Sequence, residues 1–293
     1  MSSSKLSRRE AFGVGIALGG AAMTAPLWAS GQAAAAAPAA FAGRKPSPFK
    51  IGVASYSLRQ FPREKMIEMV KGLGVKYVTL KDVHLSRTDT PEQTRAARQQ
   101  ITDAGLTIMG GGTLTWKVND EAAIRKDFEY AKNGGFPLMV CSPAPETLDT
   151  LEKLVKEYDI KVAIHNHGPE DSWYPAPADA LAKLQGRDPR MGICMDVGHA
   201  VRAGADIIQS VSLAGPKLLD LHVKDLADPK SRDSQVEVGR GVLDIPGLLR
   251  ALAATRFAGH VSLEYEINAS DPFAGMQESL AYMRGVADAV AMT

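Results

Sequence analysis

A (β/α)8 barrel, a TIM barrel in a single domain preceded by a cleavable signal peptide, is the fold that the 293-residue sequence predicts. Three observations carry it. From Lys50 onward, strand patterns alternate with helix patterns through eight units with short connections, and such alternation builds a parallel sheet. Eight units in about 250 residues is the size of a closed barrel. No glycine-rich dinucleotide loop follows the first strand, where Gly52-Val53-Ala54-Ser55-Tyr56 would have to supply it, which speaks against an open doubly wound sheet.

Residues 1–42 stand apart from the rest. Ser7-Arg8-Arg9-Glu10-Ala11-Phe12 leads into an uncharged run from Phe12 to Ala42, rich in Ala and Gly. A basic start, an apolar stretch and small residues suited to cleavage describe a secretory leader. The arginine pair resembles a twin-arginine export signal, although both Glu10 and Ala11 separate Arg9 from Phe12. Gly and Pro interrupt the run before the ~20 apolar residues that a membrane span needs. The expectation is therefore an exported, periplasmic protein with no stable membrane anchor. Domain boundaries follow as residues 1–42 for leader and linker and 43–293 for the barrel.

Charge narrows the partners. The formal net charge is +1, and loss of Lys5, Arg8, Arg9 and Glu10 (a net of +2) would leave about −1. That near-neutral balance gives no electrostatic case for nucleic acid. The two cysteines, Cys141 and Cys194, fall in expected core strands and read as free buried thiols.

The elements follow in order. Lys50–Tyr56 reads as a strand and Arg63–Gly72 as a helix. Lys76–Leu80 is a strand, followed by a helix over Pro91–Ala104 that Thr90 opens with Pro in its first turn. Leu106–Gly110 is a strand, with Gly110-Gly111-Gly112 after it giving the backbone room at the barrel mouth. Glu121–Asn133 is a helix stopped by Gly134-Gly135. Pro137–Cys141 and Pro145–Tyr158, then Lys161–His165 and Ala178–Gln185, make the fourth and fifth units. Met191–Asp196 is the sixth strand, followed by a tight turn carrying His199 and a helix near Asp206–Leu213. Lys217–Val223 with Ile245–Ala254, and His260–Tyr265 with Phe273–Val290, complete the set. Two connections are long, His167–Pro177 and Asp225–Asp244, and both follow strand ends, where barrel active sites are built.

Side chains alternate between the faces of a strand, so parity places each residue. Val162 and Ile164 face the helices, which turns Ala163, His165 and His167 inward. Gly192, Cys194 and Asp196 share the inner face of the sixth strand. Leu219, Leu221 and Val223 read as outward, with Asp220, His222 and Lys224 inward. Ser262, Glu264 and Glu266 face in on the eighth strand, and Lys81 shares the inward parity of Thr79 on the second, with His84 just beyond. His165, Asp196, His222 and Glu264 thus converge from four neighbouring strands. Two imidazoles and two carboxylates suit one divalent cation, Mn2+, Co2+, Zn2+ or Mg2+. Taken alone, Asp196 has a second reading as the cap of the following turn. His260 opens a strand at the opposite rim and reads as structural.

The segments AIHNHG, MDVGHAVRAG, LHVKD, VGRGVLDIPGLLRAL and VSLEYE resemble the xylose isomerase-like barrel superfamily of sugar isomerases and epimerases, over essentially all of residues 49–293. By that resemblance Asp196, His222 and Glu264 match metal ligands, and His199 matches a residue that touches substrate hydroxyls. The resemblance implies a small-molecule sugar substrate, proton abstraction alpha to a carbonyl and an enediolate stabilised by the metal. A homo-oligomer is compatible with it. One position departs: relatives carry glutamate on the fifth strand, often as ENH, where this chain has His165 in HNH. A metal-bound imidazole is a poor base, so symmetric two-base epimerisation loses one partner. Glu264 is then the expected base, and His165 stays in the catalytic set as a ligand. Lys224 or His167 would protonate an oxygen, and His199, His167, Lys81, His84 and Glu266 would contact substrate. The HNH variant also fits exported relatives that eliminate or add across C1–C2 of 3-keto-glycosides. A sugar-binding protein without catalysis is disfavoured by the complete ligand set. An abasic-site endonuclease is disfavoured by the lack of further His and Glu ligands on strands two to four.

Overall fold

The computed structural model of the chain describes residues 49–292. The arginine pair, the uncharged run and the proposed cleavage region lie outside these residues. Eight parallel strands close into a barrel: β1 (Lys50–Ala54), β2 (Tyr77–Leu80), β3 (Thr107–Trp116), β4 (Leu138–Pro143), β5 (Lys161–His165), β6 (Met191–Asp196), β7 (Leu218–Val223) and β10 (His260–Leu263). β1 pairs with β10, which closes the ring. Two short strands, β8 (Asp225–Leu226) and β9 (Gln235–Val236), form an antiparallel ladder inside the long seventh connection.

The helices are α1 (Arg63–Gly72), α2 (Pro91–Asp103), α3 (Glu121–Gly134), α4 (Leu148–Tyr158), α5 (Pro177–Lys183), α6 (Val197–Arg202), α7 (Ile207–Ala214), α8 (Ile245–Ala254) and α9 (Phe273–Val290). Local sequence sets their ends. Thr90 caps α2 in a reciprocal box with Gln93, and Pro91 occupies the first turn. Gly135 closes α3 in the left-handed conformation, φ 69°. No described helix is long and apolar enough to cross a membrane.

Four elements differ from the sequence reading. β1 stops at Ala54 rather than Tyr56, because Ser55–Leu58 turns into a 3-10 helix. Its hydroxyls serve as backbone acceptors there, Ser55 Oγ for the Lys81 N–H at 2.8 Å and Ser57 Oγ for the Tyr265 N–H at 2.9 Å. β3 runs on to Trp116, so the triple glycine lies within the strand. A Cβ at Gly112 would sit 2.1 Å from the Val140 carbonyl oxygen, and the residue has φ +131°, so only glycine lets β3 lie this close to β4. The expected turn at His199 is helix α6, whose first turn Asp196 caps by accepting the His199 N–H at 2.8 Å. Leu219 packs against Leu138, Val140, Ala163 and Cys194 rather than outward among the helices. The β6–β7 register slips between Ile193 and Cys194, making Leu219 an extra residue that breaks the alternation.

Most buried apolar side chains form one core between sheet and helices. Inside the barrel, the Leu138–Val140–Ala163–Cys194 cluster fills one side. Polar side chains fill the other, with Thr79 Oγ1 bonded to His260 Nδ1 at 2.9 Å and Asp220 and Ser262 buried beside them. His260 is structural, as its position suggested, and Cys141 and Cys194 are free buried thiols.

Candidate active site

The carboxyl ends of the strands surround a cavity of about 810 Å³. Against it lies a cluster of four buried side chains, one from each of four neighbouring strands; His165, His222 and Glu264 line the cavity, and Asp196 is fully buried. His165 ends β5, Asp196 ends β6, His222 lies in β7, and Glu264 follows β10. One donor atom of each lies within 4.8 Å of all the others. His165 Nε2 faces His222 Nδ1 at 3.1 Å and Asp196 Oδ2 at 3.6 Å, and His222 Nδ1 is 3.2 Å from Glu264 Oε1.

Backbone clamps hold these groups. Asn166, the middle residue of HNH, donates from Nδ2 to the Asp196 carbonyl at 3.0 Å and accepts the Asp196 N–H at 3.0 Å, locking β5 to β6 just under the cluster. Gln235 of β9 donates to the Glu264 carbonyl at 2.7 Å and accepts the Glu266 N–H at 3.0 Å. Asp225, fully buried, accepts N–H groups of Leu226, Gly239, Gly241 and Leu243 and so organises the seventh connection. Sequence reasoning did not single out these three roles, although Asn166 and Asp225 stand inside the HNH and LHVKD motifs.

Lys224 is the largest departure from a solvated rim residue. It is 3% exposed, and its ammonium lies 2.9 Å from both Asp196 Oδ2 and Glu264 Oε2 and pairs with Glu266. Gly198 makes room for its stem, since a Cβ there would sit 2.6 Å from Lys224 Cγ. The contact with Asp196 Oδ2 is ionic, and that oxygen has no hydrogen-bond donor.

Electrostatics follow from this packing. Burial, with His167 and His222 beside it, holds His165 well below the usual imidazole range, so it is neutral and has a lone pair to give. Burial opposes protonation of His222, but Glu264 outweighs it and raises His222 to about 9. Burial likewise opposes the charge on Lys224, yet the carboxylates Asp196, Glu264 and Glu266 raise it well above the ordinary lysine value. Burial alone would raise Glu264; His222 and Lys224 instead hold it well below the carboxylate range.

The donor set fits a divalent ion. Metal bonds of ~2.0–2.2 Å to N and O place neighbouring donors roughly 3.0–3.6 Å apart, and the closest pairs here span 3.1, 3.2 and 3.6 Å. The fully buried Asp196 Oδ2 accepts no hydrogen bond and is met only by the ionic contact with Lys224, so it keeps lone-pair capacity that an ion can use.

The cavity wall holds Lys81, His167, His199, Arg202, Gln235 and Glu266. His167 Nδ1 pairs with Asp171 at 3.2 Å, and Arg202 Nη1 bonds His199 Nδ1 at 3.2 Å while its other end pairs with Glu170. Arg202, three residues after His199 on α6, also escaped the sequence reading. His84 corrects it. The side chain is fully buried and does not line the cavity. Its Nε2 lies 3.2 Å from the Phe61 carbonyl, which can only accept, so Nδ1 accepts from Ser55 Oγ at 2.8 Å. Both nitrogens are spent on shaping the Ser55–Leu58 turn.

Residues 67–286 match the family described as xylose isomerase-like TIM barrel, and the chain belongs to that family. No curated protein matches the chain. Among solved structures, 3-keto-D-glucoside 4-epimerase from E. coli superposes with a TM-score of 0.62 at 18% identity, over 81% of this chain and 99% of that one. The probable 3-DHS dehydratase of petrobactin synthesis from Bacillus anthracis gives a TM-score of 0.66 at 14% identity, over 80% and 98%. An IOLI protein with a bound zinc atom gives 0.67 at 18% identity, over 82% and 98%. At these identities the likeness is one of fold.

Proposed function

We propose that this xylose isomerase-like barrel is a divalent-metal-dependent sugar isomerase or epimerase that removes a proton alpha to a carbonyl. The observation that carries the reading is the convergence of His165, Asp196, His222 and Glu264 in one buried cluster, three of whose members line a polar cavity. Those four residues would hold the ion, and the bound zinc of one structural relative supports the assignment. A divalent cation so held supplies Lewis acidity toward a carbonyl or hydroxyl pair of the sugar. Glu264, kept ionised by His222 and Lys224, is the base. Lys224 and His167 are the groups placed to protonate an oxygen. His199, held by Arg202, joins Lys81 and Glu266 in gripping hydroxyls.

A second reading, a lyase on 3-keto-glycosides, rests on the asymmetry of the mouth. The carboxylates Asp196, Glu264 and Glu266 gather round Lys224. His165, His167 and His199 form a second group, with ring centroids 4.4–6.1 Å from one another, which meets the first where His165 faces Asp196 at 3.6 Å. A base on one side and hydrogen-bonding imidazoles on the other suit elimination as well as proton return.

The test is incubation of metal-loaded protein in deuterated water with free ketoses and with 3-keto-glycosides, followed by NMR. Label at a single alpha carbon of an isomeric product supports the first reading, and loss of the C1 substituent supports the second. No label and no product from either class, with one equivalent of metal bound, overturns both. An Asp196→Ala variant that keeps its full metal content sinks the ligand assignment. We also place the protein outside the cytoplasm through its Arg8-Arg9 leader. Replacing both arginines by lysine should leave uncleaved precursor inside, and an unchanged exported yield argues for another route.

A further inference from the structure

We propose that the barrel contains a second metal site, selective for thiophilic ions, formed by Cys194 with His165 and His222. Cys194 lies on the same inward face of β6 as Asp196, one step deeper, and is paired in register with His165. Its Sγ and one ring nitrogen of each histidine lie within 4.8 Å of one another. All three side chains are buried, with residue exposures of 0, 3 and 4%. Each imidazole also has one buried nitrogen without a hydrogen-bond partner, Nδ1 of His165 and Nε2 of His222. The two histidines therefore have unspent lone-pair or proton capacity inside the barrel, next to the sulfur.

Donor chemistry decides which ion goes where. Asp196 and Glu264 supply hard oxygens that suit Mn2+ or Mg2+, whereas a thiolate with two imidazoles selects Zn2+, Cd2+ or Cu+. Bonds of ~2.0 Å to nitrogen and ~2.3 Å to sulfur set donor separations near ~3.5 Å, so the three side chains need to close by roughly 1 Å. As the ion binds, the Cys194 S–H bond breaks and His222 gives up the proton that Glu264 holds on it; both protons leave to solvent and no electron is transferred. Both sites need His165 and His222, so occupancy of one excludes the other. A thiophilic ion draws the imidazoles toward Cys194 and away from the carboxylates, which makes such ions displacers of the harder metal. The site shares two histidines with the proposed function but does not depend on it. The competing assignment leaves Cys194 as a filler of the Leu138–Val140–Ala163 patch.

Cd2+ and Co2+ titrations into the metal-free full chain, followed by thiolate-to-metal charge-transfer absorption, decide between them. The expected result is a charge-transfer band that saturates at one equivalent of Cd2+. Cys194→Ser should abolish the band and weaken Cd2+ at least ~10-fold, since even outer-shell losses cost that much. The same variant should hold Mn2+ within about twofold of the wild type, because Cys194 is not among the four residues that would hold the harder ion. Cys194→Ala repeats the test with an apolar filler, should the serine variant fail to fold. Cys141→Ser and Asp196→Asn should both keep the band. One equivalent of Cd2+ bound without the band, or a band that survives loss of Cys194, overturns the proposal. A wild type that shows the band but binds no Mn2+ instead overturns the four-ligand assignment and leaves this one standing.

Discussion

Replacing Lys224 by methionine removes a cation and little volume, and the structure sets the size of the effect. The ammonium lies 2.9 Å from Asp196 Oδ2 and from Glu264 Oε2, carboxylates whose side chains are 0% and 10% exposed. Breaking a buried pair by deleting one partner costs about 3–5 kcal/mol, because the remaining charge stays out of water. In a domain of this size 1 kcal/mol shifts Tm by ~2–4 °C, so the metal-free variant should melt roughly 6–20 °C lower. Lys224 has a raised folded-state value, so its contribution is complete below the free-lysine value of about 10.4 and is lost only as pH rises through the raised one. A melt at neutral pH therefore reads all of it. Added Mn2+ restores positive charge beside the same oxygens, so it should raise the Tm of Lys224→Met more than that of the wild type. Circular-dichroism melts with EDTA and with metal make the comparison. A variant that melts within about 2 °C of wild type in EDTA shows that the ion pairs contribute nothing net. Equal metal-induced shifts show that ammonium and metal do not share those carboxylates.

Glu264→Gln should lower kcat/KM by ~10²–10⁴ on whichever substrate is turned over, with metal content measured beside it; an unchanged rate with metal retained moves the base elsewhere. His167→Gln should suppress elimination or product protonation while leaving deuterium exchange at the alpha carbon, and loss of neither removes His167 from the chemistry. Burial depresses folded His260 to about 3, so the unfolded chain takes up that proton first, at about 6.5, and stability should rise with pH between these values. The His260→Asn variant should lose up to about 1.4 kcal/mol per pH unit of that slope, measured by urea melts across the window; an unchanged slope rules the residue out. Asp225→Ala strips an acceptor from four N–H groups, should cost roughly 3 kcal/mol or more, and should speed proteolysis between Ala227 and Gly241; an unchanged cleavage rate means that other contacts hold the loop.

The barrel and the convergence of the four proposed ligands were legible because both rest on periodicity. Alternation put His165, Asp196, His222 and Glu264 on one side of four strands, and a closed parallel barrel leaves inward residues nowhere else to go. Alternation failed at Leu219, where a slip in register adds a residue, and no sequence signal marks that slip. His84 had the right parity region but not the right depth: the Ser55–Leu58 turn reaches under it, and its two hydrogen bonds close off the approach to the cavity. Lys224 was placed inward by parity, yet its burial depends on Gly198 in the neighbouring helix, a long-range fit that local patterns do not encode. Asn166, Gln235 and Asp225 act on backbone atoms 16–30 residues away or in an adjacent strand, and such partners become visible only once the chain is folded.

His165 ties these observations together. A glutamate on β5 would add a third carboxylate to the floor and a second base opposite Glu264. The imidazole brings no negative charge, so Lys224 faces Asp196, Glu264 and Glu266 alone and is drawn toward their side of the mouth. The β5 side is left to neutral rings: burial holds both His165 and His199 below the ordinary imidazole range. Charge thus lies on the β6–β10 side, and neutral hydrogen-bonding capacity lies on the other. On the proposed reading, a substrate seated between them would meet a base on one face only. That arrangement favours reactions in which a proton leaves from one face while an oxygen is protonated from the other, and it disfavours the symmetric exchange that two opposed carboxylates allow.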